Sequence, residues 1–298
     1  MSRPAAASPD GLPPLGEVIR SLGLSARKAL GQNFILDLNL TRRIARSAGP
    51  LQNRTVVEVG PGPGGLTRAL FLEGAQRVVA VERDARCAPA LEAIAQRYSG
   101  RLEVHYGDAL AADWPALARS GAMRPIVAAN LPFNIATLLL VRWLEGECWP
   151  PWYARLVLMF QREVAQRIVA APGSKAYGRL AVISQWRTRP HLLFSVKPTA
   201  FTPAPSVACA LVALTPREGP SPPCRVATLA AVTAAAFGQR RKMLRQSLRA
   251  LTPQPEVLLA AAGIAPTLRA EALGVRDFAR LAWIFERLAG GEEPARNR

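Results

Sequence analysis

The stretch VEVGPGPGGLT (Val57–Thr67) decides the fold. An apolar run opening at Thr55 ends at Gly60, a glycine-rich turn follows, and helical residues begin at Leu66. Strand, tight glycine turn and helix start together bring bare backbone close to a ligand at the carboxyl edge of a parallel sheet. Gly60, Gly62 and Gly65 also satisfy the G-x-G-x-x-G spacing of dinucleotide sites, so the loop alone leaves an NAD-linked oxidoreductase open. No P-loop lysine follows the glycines, which disfavours an ATPase. Two acids extend the pattern. Glu82 closes the next strand, placed to accept from ribose hydroxyls, and Asp108 closes the one after, placed to accept from an adenine amine. The plain alternative is a tight turn beside two solvated acids.

Working outward, apolar strands alternate with helical stretches. TVVEVG (55–60), RVVAVE (77–82), RLEVHYGD (101–108), PIVAAN (125–130), ARLVLMF (154–160) and ACALVAL (208–214) read as strands. Residues 66–74 and 88–98 read as helices, and 37–49 as a short helix with Asp37 as N-cap and Gly49-Pro50 as the stop. This alternation argues for an α/β fold, a mostly parallel sheet covered on both faces. TPREGPSPPC (215–224) is the best linker, and Phe237, Leu244, Leu248 and Leu251 beyond it fall at helical spacing. The expected organisation is a disordered extension over 1–25, an α/β domain over 26–214 and a small helical domain over 215–298.

Composition narrows the function. The chain has 298 residues and a formal charge of +17, which suits a polyanionic partner, most simply nucleic acid. A codon bias accounts for Arg standing in for Lys, but not for the excess of bases over acids. Four scattered cysteines, none in a C-x-x-C pair, and two histidines make no metal-ligand pattern, so free thiols, a reducing compartment and no metal are expected. No apolar run reaches the ~18 residues of a membrane span. The first residues lack the apolar segment of a secretory signal, so a cytoplasmic protein is expected.

A second motif, AANLPFNI (128–135), ends the fourth strand. Asn130 and Pro132 suit a chain reversal, but an aromatic directly after the proline is less usual there. The group fits methyl transfer to the exocyclic amine of adenine. That amine is a poor nucleophile because its lone pair is delocalised into the ring. Two acceptors for its hydrogens, the Asn130 side-chain oxygen and the Leu131 carbonyl, favour a pyramidal nitrogen. Pro132 fixes its own φ and offers no competing donor. Phe133 gives a stacking face, worth roughly 1–3 kcal/mol, against the few kcal/mol or so of extracting a base. The competing reading is an ordinary turn with Phe133 in the core.

These motifs resemble one family. NLPF resembles the N/D-P-P-Y-type motif of adenine-N6 and cytosine-N4 methyltransferases. KALGQNFILD (28–37), VEVGPGPGGLT, VERD (81–84), GDAL (107–110), NLPFNI, FTPAPSV (201–207) and FGQRRKMLRQSL (237–248) resemble, in that order, the signatures of ribosomal small-subunit RNA adenine dimethyltransferases. The match runs from about Lys28 to about Leu288. It implies a Rossmann-like class I methyltransferase domain with S-adenosylmethionine as cofactor and S-adenosylhomocysteine as product. Asn33, Ile35, Gly60, Glu82, Asp108 and Asn130 would line the cofactor site, and Asn130, Leu131, Pro132 and Phe133 would hold the adenine. Phe201 would close over the other face of the base or over the cofactor end. The family usually has Tyr at the position of Phe133 and often Asn at that of Gly238. The implied reaction places two methyl groups on each of two adjacent adenosines near the 3′ end of 16S RNA.

In the last segment, Arg240, Arg241, Lys242, Arg245 and Arg249 are candidate phosphate contacts. Arg241, Arg245 and Arg249 fall at i, i+4 and i+8, one stripe opposite the apolar one. The expected partner is small-subunit ribosomal RNA, as an immature 30S particle, bound by a monomer. Rival readings are a large-subunit RNA dimethyltransferase conferring macrolide resistance and a non-catalytic assembly or transcription factor on the same scaffold.

Overall fold

The computed structural model describes residues 8–118, 123–220 and 222–290. Its nine strands are β1 (Phe34–Ile35), β2 (Thr55–Val59), β3 (Arg77–Glu82), β4 (Leu102–Tyr106), β5 (Ile126–Ala129), β6 (Arg155–Gln161), β7 (Thr188–Val196), β8 (Phe201–Thr202) and β9 (Cys209–Pro216). Seven form one sheet in the order β4-β3-β2-β5-β6-β9-β7. The first five run parallel, and β9 joins β6 antiparallel. The central strands β2, β3 and β5 are apolar and buried on both faces, as a doubly covered parallel sheet requires. From β2 the chain winds outward through β3 and β4, then returns to place β5 on the other side of β2. That reversal opens a crevice at the carboxyl ends of β2 and β5, where ligands bind in open α/β sheets.

Around the sheet lie α2 (Leu38–Ser47), α3 (Gly65–Leu72) and α4 (Ala88–Arg97), preceded by α1 (Leu15–Ser21). The Asp37 side chain accepts from the Asn39 N–H at 2.8 Å and starts α2 as an N-cap. Ile44, Leu51, Leu70, Phe71, Leu91 and Ile94 bury against Val56 and Val78 of the sheet. Three strands escaped the sequence pattern: the two-residue β1 and β8, too short to show an alternation, and the long β7. β7 carries Arg189, Pro190 and His191 and is largely exposed, because at a sheet edge one row of backbone groups needs no partner.

The remaining helices are α5 (Trp114–Leu117), α6 (Ala136–Leu144), α7 (Arg162–Val169), α8 (Arg179–Arg187), α9 (Val226–Gly238), α10 (Leu244–Ser247), α11 (Pro255–Ala261) and α12 (Val275–Ala289). The chain divides into two compact units. The first comprises Met1–Leu139, Trp152–Ala165 and His191–Leu214, and the second Leu140–Pro151, Gln166–Pro190 and Thr215–Arg298. This differs from a single cut after residue 214. The reason is the core of the helical unit, where Tyr177, Val182 and Trp186 cluster with Leu229, Leu259, Phe278 and Leu281.

The expected disorder of residues 1–25 is also corrected for the described part, while residues 1–7 lie outside the described residues. Asp10 is buried and takes two hydrogen bonds from Arg68 of α3, both at 2.7 Å. Arg68 further donates to the Pro13 carbonyl at 2.8 Å, and Arg97 to the Asp10 carbonyl at 2.7 Å. Burial works against ionised Asp10, but the Arg68 hydrogen bonds and charge prevail and lower its pKa. Removing one partner of such a pair strands the other. Asp10→Ala leaves the Arg68 charge buried without its counterion, and should cost about 3–5 kcal/mol in urea unfolding. An unchanged midpoint would show that the pair does not hold the segment.

Candidate functional site

A cleft of about 960 Å³ lies at the switch point, lined by the β2 loop, the ends of β3 and β4, the β5 corner and residues 30–35. Gly60, Gly62 and Gly64 all have positive φ. At Gly60 a Cβ would stand 3.3 Å from Pro132, and at Gly62 a Cβ would stand 3.0 Å from the Phe34 ring. The loop is therefore clasped between the β5 corner and β1, with no room for side chains.

Two buried acids lie under the loop. Glu82 accepts from the Gly62 N–H at 2.8 Å and from the Asp84 N–H at 2.7 Å, one bond to each oxygen. A carboxylate keeps further lone pairs after two such bonds. Burial raises its pKa, against the lowering effect of the backbone N–H groups. Glu58, one strand position inside the sheet edge, is a cleft residue the sequence reading missed. A single acid within an otherwise apolar strand was the available signal. Burial pushes it up to about 8, eased by the Thr67 hydroxyl that donates at 2.7 Å and raised further by Glu82. Asp108 lines the cleft, caps its own turn through the Leu110 N–H at 2.9 Å and faces Arg83 at 3.5 Å.

At the end of β5, the Asn130 Nδ2 donates to the Asn33 carbonyl at 2.9 Å. Because a carbonyl only accepts, this bond fixes which end of the amide points where. The Asn130 Oδ1 is buried and has no hydrogen-bond partner among the described residues. Leu131, Pro132, Asn33 and Ile35 border the same cleft. The Leu131 side chain is buried in the core, so only its backbone is offered there.

The aromatic pair stands elsewhere. Phe133 is half-buried against the core, and Phe201 is buried. Their rings meet edge-on, with centroids 6.4 Å apart and planes at 66°, and neither borders the cleft. The two rings thus form no parallel sandwich, and Phe201 touches Phe133 at its edge. Its strand, β8, pairs with β1 so that Phe201 faces Ile35 across the ladder.

The basic cluster is also rearranged. α9 ends at Gly238, and α10 begins at Leu244, so no continuous helix carries Arg241, Arg245 and Arg249 as a stripe. Leu244 and Leu248 turn inward, leaving Arg241, Lys242, Arg245 and Arg249 exposed without an ion pair among the described residues. Arg240 is tied down: it donates to the carbonyls of Lys175 and Tyr177 at 3.2 and 3.1 Å and faces Glu271 at 3.7 Å. Among the described residues no group of His, Cys, Asp and Glu suits a metal, and no helix is long and apolar enough to cross a membrane.

A doubly wound sheet, a glycine loop at its switch point and acids at the next two strand ends fit a class I S-adenosylmethionine-dependent methyltransferase, the class to which the relatives below assign the chain. The fold matches a crystal structure of a dimethyladenosine transferase from Plasmodium falciparum, with TM-score 0.68 and 21% identity over 85% of this chain and 97% of that one. It also matches the 23S rRNA methyltransferase ErmE, with TM-score 0.61 and 24% identity over 85% and 100%. The chain belongs to the ribosomal RNA adenine dimethylase family, whose sequence pattern matches residues 23–287. Among its relatives, "Ribosomal RNA small subunit methyltransferase A" of Xanthobacter autotrophicus is 59% identical over 95% of this chain and 97% of its own. That of Methylobacterium radiotolerans is 60% identical over 94% and 96%. The site suits the family's cofactor: side-chain-free backbone and the acids Glu82 and Asp108 lie together along one cleft.

Glu58 gives a test of the electrostatics. With a folded pKa near 8 against an ordinary 4.5, the folded state binds the extra proton between those values. Stability conferred below pH 4.5 is therefore lost progressively as pH rises towards 8. Glu58→Gln should abolish this component, so that the wild-type urea midpoint falls relative to the variant's across that range. Parallel profiles would mean that Glu58 is not held protonated.

Proposed function

We propose that this protein dimethylates N6 of two adjacent adenosines near the 3′ end of 16S RNA in the small ribosomal subunit. The observation that carries the reading is the buried, unpartnered Asn130 Oδ1 at the switch-point cleft. Burying such an acceptor without a partner costs roughly 1–3 kcal/mol, a cost recovered when a donor arrives. An exocyclic amine is a donor of the right kind. Its two hydrogens go to the Asn130 Oδ1 and the Leu131 carbonyl, which frees the nitrogen lone pair for attack. Pro132 brings no N–H into competition. Phe133 follows Pro132 just outside the cleft lining, so it can stack on the extracted base only from the cleft's rim, with Phe201 against its edge.

S-adenosylmethionine supplies an electrophilic methyl on its sulfonium and leaves as S-adenosylhomocysteine. Gly60, Asn33, Ile35, Glu82 and Asp108 hold it, with Glu82 and Asp108 as the hydrogen-bond acceptors. The methylated nitrogen loses its surplus proton to water, so no strong base is needed. One hydrogen remains on the amine for a second transfer, and the site must admit the monomethylated base.

The substrate is reached through charge. At +17 the protein is drawn to phosphate, and Arg241, Lys242, Arg245 and Arg249 are the exposed candidates, while Arg240 serves the local fold. We take the substrate to be an immature 30S particle, bound in the cytoplasm by a monomer. Small-subunit methyltransferase relatives at about 60% identity support the choice of RNA.

Asn130→Ala should remove most turnover while RNA binding persists, as read by labelled methyl transfer and filter binding. Phe133→Ala should be far more damaging than Phe133→Tyr, which keeps the ring; a silent Phe133→Ala would mean that the ring does not stack. RNA affinity should fall steeply with salt, and a flat dependence would contradict phosphate contacts. The reading as a whole is tested by mass mapping of ribosomal RNA from cells lacking the protein. Loss of methyl groups from the paired small-subunit adenosines is expected, and loss from large-subunit RNA instead would reject it.

A further inference from the structure

We propose that residues 27–35 orient the catalytic amide as well as walling the cofactor cleft, making Gly31, Gln32 and Asn134 positioning residues for methyl transfer. The inference rests on Asn130 as the amine acceptor. An asparagine amide presents an acceptor on one side and a donor on the other, and the two differ little in shape. What decides their order at Asn130 is the Asn33 carbonyl, which takes the Nδ2 at 2.9 Å. A half-turn of the amide would set two acceptors against each other and point the NH₂ at the incoming amine, donor against donor.

The Asn33 carbonyl belongs to a segment held at several separate points. The Gln32 side chain accepts from the Arg27 N–H at 2.8 Å and donates to Asp84 at 3.0 Å. Asp84 is in turn gripped by Arg86, which also reaches the Ser25 carbonyl at 3.2 Å. The Asn134 Nδ2 donates to the Ala29 carbonyl at 3.4 Å. Gly31, at φ +64°, lies so close to the β5 corner that a Cβ would stand 2.5 Å from the Asn134 Oδ1 and 3.2 Å from the Phe133 nitrogen. At the far end, Phe34 and Ile35 are laddered to Thr202 and Phe201. The segment is thus seated on the corner from both sides, and its seating fixes the Asn33 carbonyl.

A consequence separates this role from simple support. An unmethylated amine needs both acceptors, whereas a monomethylated amine has one hydrogen, which the Leu131 carbonyl can take. Loosening the segment should therefore slow the first transfer more than the second.

The test uses the full chain with Gly31→Ala and, separately, the double change Gln32→Ala with Asn134→Ala. The second variant avoids the strain of a side chain at positive φ. Methyl transfer is measured on small subunits lacking the modification and on subunits whose target adenines already carry one N6-methyl group, alongside calorimetry with S-adenosylmethionine. The expected result is a kcat loss of roughly 10- to 100-fold on the unmethylated substrate. Measured at saturating S-adenosylmethionine, it should be smaller on the premethylated one, with RNA KM within about threefold of wild type. The inference is overturned by unchanged kcat in both variants, by equal losses on the two substrates, or by a fall in cofactor affinity that accounts for the lost turnover. If the wild-type protein itself methylates neither substrate, the proposed function fails instead.

Discussion

One hydrogen bond orders the site: the Asn130 Nδ2 to the Asn33 carbonyl. It joins the end of β5 to a segment nearly a hundred residues earlier in the chain, and it leaves the Asn130 Oδ1 turned away and unpartnered in a buried position. A folded protein rarely keeps such a group without a reason, because each costs free energy that a partner would recover. Under the proposed function the reason is chemical. An acceptor kept dry and aimed in advance needs no reorganisation when the amine arrives, and preorganised dipoles of this kind usually contribute more to catalysis than any other single effect. The surrounding structure serves that geometry. The strand crossing puts β2 and β5 side by side, the glycines let the β2 loop touch Pro132, and β8 pins β1 so that residues 31–35 stay in place.

Electrostatics divides into two kinds beneath this clamp. Glu58 and Glu82 are buried acids whose pKa values rise for lack of solvent, whereas Asp84 is held down to about 2, chiefly by its hydrogen bonds from Arg86. The first pair faces the cleft; Asp84 anchors the segment that crosses it. Asp10 repeats the anchoring device with Arg68, fixing the residues before α1 to α3. The proposed amine clamp therefore sits on a scaffold whose charged groups anchor chain segments, while its own two acceptors are neutral.

Much of this was legible in the residue order. The apolar alternation, the glycine loop and the acids at strand ends specify the parallel sheet, and the Asn-Leu-Pro-Phe corner does stand at the cleft's edge. What stayed hidden has physical causes. β7 is an exposed edge strand with a proline, so it carries no burial pattern. The segment before α1 is too rich in proline and alanine to look folded, and what anchors it is its hydrogen bonding with Arg68 and Arg97, far along the chain. The arginine stripe assumed a helix that stops at Gly238. The edge-on meeting of Phe133 and Phe201 and the role of Asn134 depend on contacts between distant segments, which spacing along the chain does not encode.

The central claim concerns where one oxygen points when an adenine is present. A crystal structure with S-adenosylhomocysteine and an RNA carrying the two target adenosines tests it most directly. The account predicts the N6 of an extracted adenine about 3 Å from the Asn130 Oδ1, with the Asn130 Nδ2 still on the Asn33 carbonyl. An adenine seated elsewhere, or an Asn130 amide turned so that its NH₂ faces the base, would contradict it.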